Sequence, residues 1–79
     1  MTRERPRNHR LAEREARAQA ARDAGRDYHG HNDEALMTEV HRHAAKLYQS
    51  KEDALAFAEG FTEARRQRDE YLRERRGAP

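Results

Sequence analysis

Apolar positions along this chain are sparse, and they cluster in its second half. Leu36, Val40, Ala44 and Leu47 recur at spacings of four, four and three residues, with Met37 and Tyr48 on the flank. That spacing puts them on one side of a helix. Ala54, Phe57, Ala58, Phe61 and Ala64 form a second stripe of the same kind. Further along its line come Arg65, Arg68 and Leu72, with Tyr71 at the edge, so the stripe turns basic. Period-two alternation is missing, and the β-formers number one Val and no Ile. The pattern predicts two helices, over about 33–48 and 51–76. Asn32 or Asp33 reads as the N-cap of the former, and Ser50–Asp53 (SKED) as a capping box opening the latter. A link this short makes the two helices antiparallel neighbours. Gly60 lies beside the Phe57–Phe61 stripe, where it suits close approach of another backbone.

Upstream, Arg7 to Arg26 has strong helix propensity but almost no apolar face. Leu11 shares its side with Glu15, Ala18 and Arg22. Asn8 fits the start of this helix and Gly25 its end. The fold expected is therefore all-α: an Ala/Arg-rich N-terminal helix followed by an antiparallel helical hairpin with a long C-terminal helix. Residues 1–28 read as a basic, partly ordered helical arm and 29–79 as the hairpin. Two helices bury too little to stand alone. Either the first helix closes the open side or a second copy does, and the weakness of the first helix favours a homodimer.

Composition sharpens this picture. Charged residues make up 41% of the chain, and the apolar 34% is largely alanine, with two Phe and no Trp. Such a chain builds only a small core. With no Cys, no disulfide can reinforce it. Net charge is only +2, but it is unevenly placed. Both ends are rich in Arg, and the middle is acidic through Asp33, Glu34, Glu39, Glu52, Asp53, Glu59 and Glu63. The basic arm can fold onto that middle. No stretch approaches the roughly 20 apolar residues of a membrane span, and no secretory signal opens the chain, so a soluble cytoplasmic protein is expected. The Arg- and Ala-rich composition is in the style of a phage or mobile-element accessory factor with a regulatory role.

The segment HGHNDEALMTEVHRH raises the question of a metal site. His41 and His43, two apart on a helix, diverge too far to chelate one ion, and a zinc site needs three or four convergent ligands. His29 and His31 read as loop residues around Gly30. The expectation is imidazoles at the helix flanks or facing solvent, with no metal and no cofactor. Ser50 is the only Ser and serves as a cap, no thiol is present, and no glycine-rich phosphate loop occurs. No catalytic residues are assigned, and an enzyme is not expected.

Binding remains. An amphipathic hairpin with an unfinished apolar face points to a protein partner, with Tyr48, Phe57, Phe61, Tyr71 and Leu72 as contact residues. The alternative is nucleic acid or a ribosome, met by Arg65, Arg66, Arg68, Arg73, Arg75 and Arg76 and reinforced by the N-terminal arginines. Residues 56–65 (AFAEGFTEAR) resemble the Gly-aromatic-x-Glu-Ala segment of ribosome modulation factors. Phe61 stands where that family has Trp, and the family's Cys-Pro-Tyr segment is missing. The resemblance implies a ribosomal partner for the alternative.

Overall fold

The computed structural model describes residues 6–77, with side chains from Arg10 onward. Among these residues there are three helices and no strand: α1 (Pro6–His31), α2 (Met37–Leu47) and α3 (Lys51–Gly77). The fold is all-α, with the antiparallel α2–α3 hairpin in place. Met37 meets Thr62 near one end of α2, and Tyr48 meets Phe57 just past the other. The α1–α3 pair runs parallel instead. Arg14 pairs with Glu52, Arg22 with Glu59 and Arg26 with Glu63, so both residue numbers rise together.

The close contact of α1 with α3 rests on two glycines. A Cβ on Gly25 would lie 2.9 Å from the Phe57 carbonyl carbon and closer still to its oxygen. A Cβ on Gly60 would lie 2.8 Å from the carbonyl carbon of Arg22 and again closer to the oxygen. Each helix therefore presents bare backbone to the other. Ala21 and Ala56, each one turn before its glycine, are buried alongside. Close-packed helices of this kind gain dispersion from backbone atoms where large side chains are few. The close approach expected at Gly60 is present.

Gly25 differs from expectation. It does not end the first helix, which continues to His31. Both glycines keep ordinary helical backbone, with no positive φ among the described residues. Gly25 is selected by space, not by a left-handed cap. The helix ends at Asn32, whose side-chain amide donates to Tyr28 O at 3.1 Å and whose backbone N–H donates to His29 O at 3.2 Å. Asn32 thus closes α1 rather than opening α2. At the other end Asn8 lies inside α1, whose described span opens at Pro6.

Helix α2 starts at Met37, later than the sequence pattern suggests. Leu36 occupies the cap position, where Glu39 accepts its backbone N–H at 3.1 Å. Val40 and Ala44 are buried, whereas Leu36 and Leu47 at the ends of the expected stripe are 65% and 54% exposed. Ser50 caps α3 as expected, with Asp53 N–H donating to Ser50 Oγ at 3.4 Å; among the described residues the reciprocal bond of a capping box, from Ser50 N–H to the Asp53 carboxylate, is not formed.

The core is Val40, Ala44, Ala56, Phe57, Ala58, Phe61 and Ala21. Tyr28 closes it from α1, tilted on Phe57 and Phe61 and stacked on His43 of α2 at 4.6 Å. Leu11, by contrast, is half exposed and contributes nothing to this core.

The glycines yield a test with opposite signs. Gly25→Ala or Gly60→Ala gains helix propensity but forces the backbones apart, and overpacking of this kind costs about 1–3 kcal/mol. A fall in Tm of roughly 5–20 °C is expected. A Cβ added at Gly30 would meet nothing within 4 Å. Gly30→Ala is expected to raise Tm by a few degrees, since Ala is favoured over Gly in a helix by about 1 kcal/mol. Thermal melts by circular dichroism read all three.

Candidate contact surface

The acidic middle of the chain and the arginines of α1 meet in a ladder. Arg14 binds Glu52 at 3.1 Å, Arg17 lies 3.8 Å from Asp53, Arg22 binds Glu59 at 3.1 Å, and Arg26 binds Glu63 and Gln67. Most of these groups are substantially exposed, so each pair contributes well under about 1 kcal/mol. The ladder fixes the parallel register more than it adds stability. It also uses Arg14, Arg17, Arg22 and Arg26 within the chain. Arg3 and Arg5, at the start of the basic arm, lie outside the described residues.

The arginines of α3 fall into two groups. Arg65 and Arg68, assigned above to the nucleic-acid alternative, are engaged within the fold. Arg65 donates to the backbone carbonyls of Asp33 and Ala35, at 2.9 and 2.6 Å, and its guanidinium sits 4.5 Å over the Phe61 ring. Arg68 donates to Asp33 Oδ2 at 2.6 Å. Together they tie the α1–α2 connection to α3. A turn between two helices leaves carbonyls that need donors, and Arg supplies a fork of them. Arg66, Arg73, Arg75 and Arg76 are exposed. Arg75 donates to Tyr71 Oη at 2.9 Å and lies 5.7 Å over its ring.

The aromatic candidates also divide. Phe57 and Phe61 are 1% and 0% exposed, so they face the chain's own core and not a partner. The reason is α1, whose Tyr28 and His29 rings cover them. Tyr48 is half-buried against Phe57, and burial, then the charge of Asp53, raises its pKa above the ordinary 10.0. Tyr71 and Leu72 are 54% and 43% exposed.

These two stand on a projection. The ties from α3 to the other elements reach Gln67 and Arg68, and Asp69–Gly77 extends past them, about 13 Å of helix at 1.5 Å per residue. Phe57, Phe61, Ala64, Arg68, Tyr71 and Arg75 recur at alternating spacings of four and three, which keeps them on one face. The face that forms the core in the first half of α3 thus continues uncovered in the second.

The histidines are placed differently from expectation. His29 and His31 lie on the last turn of α1, not in a loop. His29 is buried, with its ring edge-on to Phe61 at 5.0 Å. Its Nε2, like the Nε of Arg68, is buried without a hydrogen-bond partner among the described residues. Among the described residues no three His, Cys, Asp or Glu side chains converge to hold a metal. None of the described helices is long and apolar enough to cross a membrane.

Comparison with protein-family models, curated proteins and solved structures gives no match. The segment resembling ribosome modulation factors is accounted for by packing: Ala56 and Gly60 face α1, and Phe57 and Phe61 fill the core.

This geometry makes Arg65 and His29 the residues to vary. Arg65→Gln removes donors from two turn carbonyls and is expected to cost about 1–3 kcal/mol, read as a lower midpoint in urea at unchanged slope. His29 contributes to the response to acid. Burial lowers the His29 pKa below 6.5, and the charges of Arg68 and Arg65 lower it further, with Asp33 and Asp69 opposing. The unfolded chain therefore binds a proton at His29 at a pH where the folded chain does not. This contribution is fully present above pH 6.5 and declines as pH falls towards the lowered folded value. The Tm difference between wild type and His29→Leu is expected to shift in favour of the variant between about pH 7.5 and 5.5. A difference constant over that interval contradicts the assignment.

Proposed function

We propose that this chain is a non-enzymatic binding protein that engages a protein partner through the projecting end of α3. The observation that carries the reading is the exposure of Tyr71 and Leu72 on a continuation of the core-forming face, beyond the reach of α1. Aromatic and aliphatic side chains of this kind anchor protein contacts, with charges at the rim. The charge pattern favours protein over nucleic acid. From Asp69 to Gly77, three arginines are interspersed with three acids, and Arg65 and Arg68 already serve the fold. Phosphate binding draws on unpaired cations.

The test is retention of nuclease-treated lysate proteins on immobilised chain. Wild type is expected to hold a protein that Tyr71→Ser with Leu72→Ser does not, while the double variant melts as wild type does. Salt-sensitive co-sedimentation with RNA or duplex DNA, lost in Arg73→Ala with Arg76→Ala and kept in the Tyr71/Leu72 variant, would overturn the reading.

A further inference from the structure

The projecting end of α3 carries a charge pattern that complements itself. Tyr71 and Leu72 lie near the centre of its apolar face, and Asp69 and Arg76 sit seven residues apart along the same flank of the helix. Asp69 is exposed, and among the described residues its one ion pair is a long contact, 3.4 Å, to the neighbouring Arg68. Arg76 is exposed beside it, and the two share a shallow surface crevice with Leu72 and Arg73. If two such helices lie antiparallel about an axis between positions 72 and 73, position 69 of one meets position 76 of the other. On the shared flank this places Asp69 against Arg76 twice, once on each side of the axis. Tyr71 and Leu72 of the two copies then cover one another at the centre. A parallel pairing in register lacks this complementarity. Its twofold axis runs along the helices and sends the Asp69–Arg76 flanks of the two copies to opposite sides, so neither ion pair forms.

We infer that the occupant of this surface is a second copy of the chain, held as a twofold antiparallel α3–α3 pair centred on Leu72 and bounded by two reciprocal Asp69–Arg76 ion pairs. The inference rests on the proposed protein-binding role of the same surface and names its partner. Twofold pairing is the commonest form of self-association, and it requires that a patch complement itself, as this one does. The pairing spans only the nine projecting residues, from Asp69 to Gly77. That is short of the roughly 1,200–2,000 Å² of a stable interface. The dimer is accordingly weak, concentration-dependent and favoured at low salt. Because α1 stays packed on α3 in each copy, the pairing leaves both cores intact.

Charge exchange tests this without touching a buried group. Asp69→Arg gives a copy with two cations on the flank, and Arg76→Asp gives a copy with two anions. Each variant alone is expected to self-associate about tenfold more weakly than wild type in sedimentation equilibrium at low salt, since two favourable pairs become repulsive. Mixed one to one, the variants are expected to form a heterodimer at least as tight as the wild-type dimer. Circular dichroism melts confirm that each variant is folded. Wild type that stays monomeric at every concentration, or a mixture that associates no better than its components, overturns the inference. If wild type is monomeric and yet the Tyr71/Leu72 variant loses a captured lysate protein, the self-pairing falls while the protein-binding role stands. If wild type dimerises and the charge variants dimerise equally well, the antiparallel α3 pairing is overturned.

Discussion

The approach of α1 to α3 at Gly25 and Gly60 is the constraint on which the other features depend. Most helix pairs stand roughly 8–10 Å apart, separated by the side chains between them. Here each glycine admits the other helix's carbonyl, and a single added carbon on either would collide with backbone. This chain has few large apolar residues, so side chains alone cannot fill an ordinary interhelical gap. Bringing the backbones together shrinks the gap to what Ala21 and Ala56 can fill. Two phenylalanines and one valine then suffice as the largest fully buried side chains.

Polar groups act around that contact. The ladder from Arg14–Glu52 to Arg26–Glu63 selects one parallel register out of several that alanine-rich helices would tolerate. Parallel packing of α1 and α3 needs a return between them, which α2 provides. Arg65 and Arg68 anchor the turn where that return begins. The basic stretch of α3 therefore serves two purposes in sequence: its first arginines stabilise a turn, and its later ones lie on a projecting helix. Because α1 ends at His31, the core face of α3 runs out of cover at Tyr71, which leaves Tyr71 and Leu72 exposed there.

Much of the fold is legible in the sequence. The helical spacing of Val40, Ala44, Phe57 and Phe61 locates the hairpin, the SKED cap starts α3, and the complementary charges of arm and middle foreshadow the ladder. Gly60 is legible because it interrupts an otherwise strong helix beside an apolar stripe. What escapes is the role of α1. Before Tyr28 and His29 its contact surface is built on Ala18, Ala21 and Gly25, residues too small to register strongly in any hydrophobic pattern, and Gly25 resembles a helix end when read locally. The partner that makes these residues informative is Gly60, far along the chain. His29 reads as a loop residue for the same reason: if α1 stops at Gly25, nothing suggests that further helix carries His29 against Phe61. In the contact surface, Tyr71 and Leu72 emerge from the sequence as apolar positions on α3. Phe57 and Phe61 cannot be separated from them there, because only the end of α1 decides which part of one continuous face is covered.

The measurement that tests the account most directly is native-state hydrogen exchange resolved along the chain. If α1 is an integral member of the fold, amides of α1 around Ala21 to Tyr28 exchange as slowly as those of α3 around Phe57 to Phe61, and both open together in the same cooperative event. Rapid exchange throughout α1, with α2 and α3 still protected, would make the first helix a detachable arm and contradict the glycine-centred packing described here.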